Sequence, residues 1–452
     1  MRSCPSNTNL PWSLFGLGGK LPGSFYNPST QLCLGTFLFL TCIRSPTIWI
    51  NDAWSASEIL DKRAGIYSSR PRMVVFSELG AGQKNLVNMY TMTPAQRDRW
   101  RVHRKLMHHA VGSQSVRKYR TFQNDESKLV AYDLLTTPAD YVKHFERYAT
   151  SVVSIIGFGR RVESPKDPIV TEVIAVMHLA ADLNVPSKTF PMLMETFPWL
   201  SKFPNAIAPW KHGLGKKRGS SFFYALADEA NAKPGNDAAF SRYLFEKREE
   251  TGIDPDEIAG LSGNLFGAGS DTSSSTLITF VLACCVFPET LAPAWEELDR
   301  VVGPHRSPTF DDEANMPYIK AFVKEVLRWR SVAIIGGQPH APTQDDYYKG
   351  WYIPKGTWIQ GNVWAIHHNE REFPDPDRFN PKRYLPGDPD QRPFPGERGY
   401  MTFGWGRRVC SGQVLAEQGT WITVARLLWG FNISKKKRPD GSLVELDIFN
   451  YT

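Results

Sequence analysis

The feature that most constrains this chain is the segment Phe403–Gly412, which reads Phe-Gly-Trp-Gly-Arg-Arg-Val-Cys-Ser-Gly. It places Cys410 in a glycine-rich turn directly before a predicted helix, Ser411–Trp429. Backbone N–H groups and a helix amino terminus stabilise a negatively charged sulfur. Glycine also permits the tight backbone that lets a flat group approach the chain closely. The segment therefore predicts a cysteine thiolate that binds a metal.

A buried structural cysteine in a turn is the alternative, and for a lone cysteine it would be the better interpretation. The complete pattern is Phe-x-x-Gly-x-Arg-x-Cys-x-Gly, formed by Phe403, Gly406, Arg408, Cys410 and Gly412. Arg408 supplies a cation for acidic groups on a bound cofactor. A ligand, two glycines and a cation within one short segment favour the cofactor-binding interpretation.

Composition narrows the class of protein. The chain has 452 residues with 42% hydrophobic and 22% charged residues, which is ordinary for a folded globular protein. The net charge of +7 is modest, and the basic run Lys435–Arg438 contains no aromatic residue, so nucleic-acid binding is not expected. A basic docking face for an acidic partner protein fits better. The six cysteines lack the spacing of a secreted disulfide scaffold, which indicates a reducing compartment.

The amino-terminal region gives no sign of a membrane anchor. Its longest apolar stretch, Leu32–Ile43, has about twelve residues, whereas a membrane-spanning helix needs roughly 20. Residues 1–31 are rich in Pro, Gly, Asn and Ser and lack the order of a signal peptide. We therefore expect an irregular segment over residues 1–31 and a single domain over residues 32–452.

Periodicity and turn residues predict one mostly helical domain with a minor β-sheet assembled from both ends of the chain. The glycines Gly263, Gly267 and Gly269 fall inside a predicted long helix, where each costs roughly 1 kcal/mol, so something should pass close to the backbone there. The predicted strands are Leu34–Thr41, Thr47–Asn51, Tyr352–Lys355 and Thr357–Gln360, and the predicted helices are Ala53–Arg63, Pro94–His109 (capped by Thr93), Ile258–Val286, Met316–Trp329 and Ser411–Trp429.

The middle of the long helix carries the run Ala268-Gly269-Ser270-Asp271-Thr272. Two small residues, an acid and a hydroxyl in a helix interior suit a local widening that leaves room for a small reactant and its protons. A solvated turn rich in serine and threonine, Ser270–Thr276, is the alternative. Beside Cys410, the first interpretation is favoured.

Other motifs add to the site. Trp100 and Arg104 lie one helical turn apart, and His340 follows a Gln-Pro dipeptide. Core packing for Trp100 and an ordinary loop histidine for His340 are the alternatives. His108–His109 and His367–His368 lack a matching cluster of metal ligands and indicate surface or core histidines. No complete glycine-rich nucleotide loop follows a strand, so electrons should come from a separate protein.

From about Leu34 to the end, these motifs resemble the cytochromes P450, specifically the fungal microsomal type. The resemblance implies a mainly α-helical fold with a minor sheet, heme b (haem) ligated by Cys410, and activation of O2. It implies NADPH electrons delivered by NADPH-cytochrome P450 reductase, with cytochrome b5 as a further partner. It also implies a location on the cytosolic face of the endoplasmic reticulum, or in the cytosol if no anchor exists.

The resemblance also assigns roles to residues. Thr272 would stabilise oxygen at the iron and Asp271 would feed a proton relay. Glu325 and Arg328 would form a structural network with Arg378. The haem contacts implied are Trp100, Arg104, His340 and Arg408 for the propionates, and Ala268, Gly269, Phe403, Gly406 and Gly412 for the ring.

The expected reaction inserts one oxygen atom into a small, mainly apolar substrate. The expected pocket draws on the loop before Thr93, on Ile174–Pro209, on Leu261–Thr272 and on Ser331–Gln338, and its expected apolar wall residues are Val332, Ala333, Ile334 and Ile335. Because Cys410 lies 42 residues before the end, the family's last pocket-lining hairpin is expected to be missing. A haem protein without turnover, or a haem-thiolate isomerase or dehydratase that needs no reductase, remains an alternative.

Overall fold

The computed structural model describes residues 45–80, 84–184, 194, 197–204, 216–235 and 238–449, with the backbone of residues 32–34 and 37–42. Within these residues the protein is mainly α-helical, as the sequence predicts. The predicted irregular segment, residues 1–31, lies outside the described part.

Two small sheets accompany the helices. The larger has four strands in the order Leu32–Leu34, Phe37–Cys42, Ser45–Ile50 and Trp358–Gly361. Its predicted hairpin is confirmed, and its last strand pairs in parallel with Ser45–Ile50, so both ends of the chain build it. Strand Leu32–Leu34 was not predicted as a separate element.

The second sheet is the hairpin of Asp346–Tyr348 and Trp351–Ile353, which pair antiparallel. Lys349 and Gly350 connect them with φ angles of 49° and 85°, the left-handed backbone that a two-residue hairpin turn requires. The second strand begins one residue before the predicted Tyr352 and ends before Pro354, which donates no backbone hydrogen bond.

The helices occupy most of the remaining chain. The α-helices are Ala53–Ala56, Pro94–Val111, Arg120–Thr136, Tyr141–Phe158, Pro168–Asn184, Lys216–Ala232, Phe240–Glu246, Arg248–Thr251, Pro255–Val286, Leu291–Val301, Pro317–Trp329, Val363–His367 and Gln413–Gly430. Wider π-helical turns are Ser57–Lys62 and Val74–Gly80, and short 3₁₀ turns include Ser115–Tyr119, Pro138–Asp140, Pro198–Lys202, Pro288–Thr290, Phe310–Asn315, Pro381–Tyr384 and Gly406–Arg408.

The helix Pro94–Val111 begins as its sequence predicts. The Thr93 hydroxyl accepts the Gln96 N–H at 3.3 Å, and the Gln96 side chain accepts the Thr93 N–H at 3.1 Å. This reciprocal pair satisfies two N–H groups that have no partner inside the helix, and Pro94 at the first position has no N–H to lose. The predicted start is therefore confirmed, and the helix ends two residues beyond the predicted His109.

The helix Pro255–Val286, called the long helix below, crosses the core. Asp254 caps its start, and it packs against helices Tyr141–Phe158 and Lys216–Ala232. A Cβ added at Gly263 would lie 2.7 Å from the Phe223 ring, and one added at Gly269 would collide with Val153. The predicted close approach is thus confirmed at these two glycines, where side chains of neighbouring helices fill the space.

The helix Gln413–Gly430, called the final helix below, is buried along most of its length and packs mainly on Arg120–Thr136. Across the described ranges, no single helix is long and apolar enough to cross a membrane. The long helix and the following segment to Val301 pass that test only together, with a bend of 100° between them.

A buried ionic network joins helix Pro317–Trp329 to the loop after it. Arg328 binds Glu325 through two hydrogen bonds of 2.7 and 3.0 Å, and Arg383 binds the same carboxylate at 3.1 Å. The prediction that Arg378 is the third member of this network is wrong. Its guanidinium is 58% exposed and pairs with Glu289 at 3.5 Å, and only its backbone carbonyl reaches Arg328.

Candidate active site

A deep cavity of about 340 Å³ lies between the long helix, the cysteine segment and the final helix. Such a volume is within the range of small-molecule and cofactor sites. Its walls bring together residues that are far apart in the sequence, from Arg70 to Thr420. The predicted site residues that line it are Trp100, Arg104, Ala268, Gly269, Thr272, His340, Phe403, Arg408, Cys410 and Gly412.

The segment Phe403–Gly412, called the cysteine loop below, folds tightly around its own backbone. The Cys410 N–H donates to the Phe403 carbonyl at 2.9 Å, which closes the loop. Gly404 and Gly406 adopt φ angles of 75° and 52°, which L side chains rarely adopt. The glycine pattern therefore sets the path of the loop, as the sequence predicts.

Gly406 anchors this loop rather than lining the cavity. Its N–H donates to Asp61 Oδ1 at 2.6 Å, and a Cβ added there would collide with the Leu60 carbonyl oxygen and lie 2.8 Å from Ala64 Cβ. Burial raises the pKa of the Asp61 carboxyl, and the bond from Gly406 opposes that rise. Gly406 thus contacts the turn Ser57–Lys62, and its predicted contact with the cofactor stays a prediction.

Replacing Gly406 with alanine should loosen the cysteine loop. The added methyl meets backbone at Leu60, so the loop must move, and overpacking of this kind costs about 1–3 kcal/mol in addition to backbone strain. Gly387→Ala is the matched control, because its φ is also positive, its added methyl meets nothing within 4 Å, and it does not line the cavity. We expect Gly406→Ala to lower haem content per chain more than Gly387→Ala; equal loss would contradict the collision.

The Cys410 side chain faces the cavity. Cys410 has accessible surface, but that surface is part of the cavity wall and not of the outer surface of the protein. Burial raises the pKa of its thiol, while the Gly412 N–H and the Arg104 guanidinium act in the opposite direction. The protein therefore provides a thiol at a cavity wall with a cation and an N–H group placed to stabilise sulfur as an anion.

Three guanidinium groups line the same cavity without a carboxylate partner among the described residues. Arg70 donates to the carbonyls of Val87, Gln338 and Pro339, and Arg408 donates to those of Ser68, Leu86 and Met89. Arg104 donates to the Ser411 hydroxyl at 2.6 Å and to the Val409 carbonyl at 2.7 Å.

Burying these cations without a counter-charge is costly, and their pKa values record that cost. Burial lowers the pKa of Arg70 to about 10. Burial also lowers the pKa of Arg408 well below its usual range, and repulsion from the Arg70 and Arg104 charges lowers it further. Burial also lowers the pKa of Arg104, opposed by Cys410. A ligand carrying carboxylates would neutralise this cluster, which fits the two propionates of a haem.

Trp100 and His340 complete this side of the cavity. The Arg408 guanidinium lies 4.6 Å from the centre of the Trp100 ring, a cation–π contact. His340 Nδ1 bonds the Tyr67 carbonyl at 2.8 Å, which makes Nδ1 the protonated nitrogen. Burial and the nearby Arg70 lower the pKa of His340 well below its usual value, so the ring is neutral.

The long helix supplies the wall that bears Ala268, Gly269 and Thr272. The Thr272 hydroxyl donates to the Ala268 carbonyl at 2.6 Å, one turn earlier. The backbone is α-helical throughout this stretch, and the Thr272 hydroxyl shares the Ala268 carbonyl with the helix, so the predicted local widening stays a prediction. Asp271 is exposed and is not among the residues that line the cavity.

Two of four predicted wall residues lie elsewhere. Val332 and Ala333 line the cavity, but Ile334 and Ile335 do not. The Ile335 side chain is 43% exposed, and the Ile334 carbonyl accepts the Trp364 N–H at 2.8 Å. The turn that follows Ala333 carries both isoleucines away from the cavity. Much of the predicted wall Ile174–Pro209 lies outside the described residues.

The histidine pairs behave as the sequence indicates. His367 is buried, its Nδ1 bonds the Arg328 carbonyl and its Nε2 accepts the Met401 N–H at 2.8 Å. His109 stacks on Tyr243 with ring centres 3.7 Å apart. Within the described portion of the chain, no three His, Cys, Asp or Glu side chains cluster in a way that could hold a metal ion.

Sequence reasoning missed several cavity residues. No sequence motif marked Arg70 as a cavity residue, because its neighbours in the cavity lie far away in the chain. Gly419 and Thr420 follow Cys410 by two to three helical turns and share the inner face of the final helix, so helical spacing could have found them. The missed residues include Arg70, Gly404, Ser411, Gly419 and Thr420.

The fold and cavity define a helical protein whose cavity brings a cysteine thiol together with three buried guanidinium groups, a set that fits an acidic cofactor. The family model described as Cytochrome P450 matches residues 4–445. The monooxygenase verL of Clonostachys rogersoniana is 34% identical, covering 88% of this chain and 74% of that relative. Cytochrome P450 monooxygenase 113 of Postia placenta is 37% identical, covering 84% and 75%.

The fold agrees with a solved structure titled as a zebra fish cytochrome P450 with abiraterone. The TM-score is 0.70 at 24% identity, and the match covers 87% of each chain. The chain belongs to the cytochrome P450 family. It is therefore an oxidoreductase of the monooxygenase class, and its family binds haem through a cysteine thiolate and uses O2.

Proposed function

We propose that Cys410 is the haem ligand and that this chain inserts one atom of O2 into a small, mainly apolar substrate. The observation that carries the proposal is one cavity that contains the Cys410 thiol, the Thr272 hydroxyl and three guanidinium groups that have no carboxylate partner in the described part of the chain. When bound, the haem supplies the oxidative chemistry: a C–H bond, O2, two electrons and two protons give a C–OH bond and water.

The chain's own residues bind and orient the cofactor. Arg70, Arg104 and Arg408 would form charge-assisted bonds with the propionates, and Trp100 and His340 would flank them. The Arg104 guanidinium and the Gly412 N–H favour the anionic form of the Cys410 sulfur. These contacts fix the cofactor before any substrate enters.

Proton supply falls to the long helix. The Thr272 hydroxyl proton is engaged with the Ala268 carbonyl, so its oxygen is left to accept a hydrogen bond from a group in the cavity. Asp271 is exposed and neighbours Thr272 in the chain, which suits a carboxyl that collects protons from solvent. We propose Asp271 and Thr272 as the two catalytic side chains.

Electrons would come from NADPH through NADPH-cytochrome P450 reductase, with cytochrome b5 as a further donor. Arg97, Arg101 and Arg407 line a small cleft of about 160 Å³ that also contains Trp100, a wall residue of the main cavity. Arg101 and Arg407 are exposed, so they suit an acidic partner docked on this face. Raising the salt concentration should weaken such docking.

The proposal includes a setting for the activity. We propose the cytosolic face of the endoplasmic reticulum as the location, and a fungal secondary metabolite as the substrate. The family supports the first, and the fungal relatives support the second. Comparing metabolites before and after deletion of the gene, and locating a tagged chain by microscopy, would test both.

Reconstitution tests the function against its alternatives. We expect product formation only when haem-loaded protein, NADPH and reductase are all present. Product formed without NADPH and reductase would identify an isomerase or dehydratase. Haem binding with reduction but no product across a broad panel of apolar substrates would favour a protein without turnover. The presence of Thr272 in the cavity favours turnover.

A further inference from the structure

The small cleft that shares Trp100 with the main cavity combines positive charge with little space. Its volume is about 160 Å³, below the roughly 300–1,000 Å³ of sites that take drug-sized molecules. Among the described residues that line it, none is acidic and three are arginines, namely Arg97, Arg101 and Arg407. The size and charge of the cleft therefore suit a small anion.

The positive charge of the cleft is only partly neutralised. Arg101 bonds Asp98 at 2.8 Å, but both side chains are more than half exposed, so water screens that pair. Arg97 and Arg407 have no carboxylate partner in the described part of the chain. A guanidinium carries five N–H donors in one plane, a shape that matches the oxygens of carboxylate and phosphate groups. The cleft therefore offers an anion two guanidinium groups without a competing acid.

Thr91 adds an uncharged donor to the cleft. Only 4% of this residue is exposed, and its N–H donates to Ser69 Oγ at 3.0 Å. Its hydroxyl makes no hydrogen bond with a described residue, although it lines the cleft. Thr343 differs, because its hydroxyl already donates to the Ile66 carbonyl at 3.3 Å. A buried hydroxyl without a protein partner indicates that a ligand or water accepts its proton.

We propose that this cleft binds a small, tetrahedral oxyanion of the phosphate type. Arg97 and Arg407 hold the anion by charge-assisted hydrogen bonds, and the Thr91 hydroxyl donates a further bond. Phosphate carries several acceptor oxygens that these donors can engage together. The site is separate from the contacts proposed for the haem propionates, because Arg70, Arg104 and Arg408 do not line the cleft.

Phosphorus NMR of inorganic phosphate tests the site directly. The haem-loaded protein is titrated with phosphate while chloride is withdrawn, so that the ionic strength stays constant. We expect a saturable broadening of the phosphate resonance with wild type. Arg407→Gln removes one charge-assisted partner and should weaken binding about 10-fold, and Thr91→Val should weaken it about 3-fold.

Two matched variants separate a specific site from net charge alone. Arg392→Gln removes the same charge from an exposed arginine outside the cleft. Thr343→Val removes a hydroxyl of the cleft whose proton is already bonded to the protein. Both should bind phosphate as wild type does. No saturable broadening with wild type, or an equal loss of binding in Arg407→Gln and Arg392→Gln, would overturn the site.

The site has a consequence for electron delivery, which rests on the proposed function. Phosphate bound to Arg97 and Arg407 neutralises charges that suit an acidic reductase. At constant ionic strength, phosphate should slow haem reduction by reductase in wild type, and less so in Thr91→Val, which keeps every positive charge of the cleft. Phosphate that binds without slowing reduction would support the site and contradict docking of the reductase on this face.

Discussion

Replacing Arg383 with alanine should destabilise the protein by about 3–5 kcal/mol, the usual cost of removing one partner of a buried ion pair. The Arg383 side chain is 2% exposed and the Glu325 carboxylate it binds is fully buried. Glu325 would keep Arg328, but it would lose one of its charged partners in a low-dielectric environment. Urea unfolding followed by circular dichroism measures the change in the free energy of unfolding.

Arg378→Ala is the matched control, since both arginines lie in the same loop. The Arg378 guanidinium is 58% exposed and its partner Glu289 is 52% exposed, so this substitution should change the free energy of unfolding by no more than about 0.5 kcal/mol. If Arg378→Ala proved as destabilising as Arg383→Ala, the network described around Glu325 would be incorrect.

Replacing Cys410 with serine should lower the reductase-supported activity by more than about 100-fold. This loss is larger than the usual loss when a residue that only hydrogen-bonds to a metal ligand is replaced. Serine is similar in size, so the cysteine loop should keep its fold, but an alcohol does not provide a thiolate at neutral pH. Haem content per chain should also fall. Measuring O2 consumption per haem with reductase and NADPH separates the loss of chemistry from the loss of cofactor.

Cys285→Ser controls for the chemical change itself. Cys285 is half-buried on the long helix and does not line the cavity, so both haem content and O2 consumption should stay near wild type. If Cys410→Ser kept its activity, or if Cys285→Ser lost as much activity, the results would contradict the proposal that Cys410 is the haem ligand.

Short sequence patterns were enough to predict much of the fold and the centre of the site. The start of helix Pro94–Val111 was predictable because the Thr93 side chain accepts one of its first N–H groups and Pro94 has no N–H that needs a partner. The cysteine loop was predictable because its glycines, cation and cysteine are contiguous. In both cases the physical requirement is met by residues close together in the sequence.

Long-range contacts were not predictable in the same way. Arg378 and Arg383 lie five residues apart in one loop, and only the tertiary path of that loop decides which guanidinium reaches Glu325. Arg70 lines the cavity although no motif surrounds it, because nothing in the local sequence records which distant residues it will face. Ile334 and Ile335 failed as wall residues because hydrophobicity alone does not fix the direction of a turn.

The absorption spectrum of the reduced, CO-bound protein tests the central claim most directly, with wild type and Cys410→Ser measured side by side. A thiolate bound to the haem iron should give wild type the red-shifted Soret band for which the family is named. Cys410→Ser should lose that band and absorb at shorter wavelength. The same band in both proteins would contradict the account, because sulfur from Cys410 would then not be the ligand of the iron.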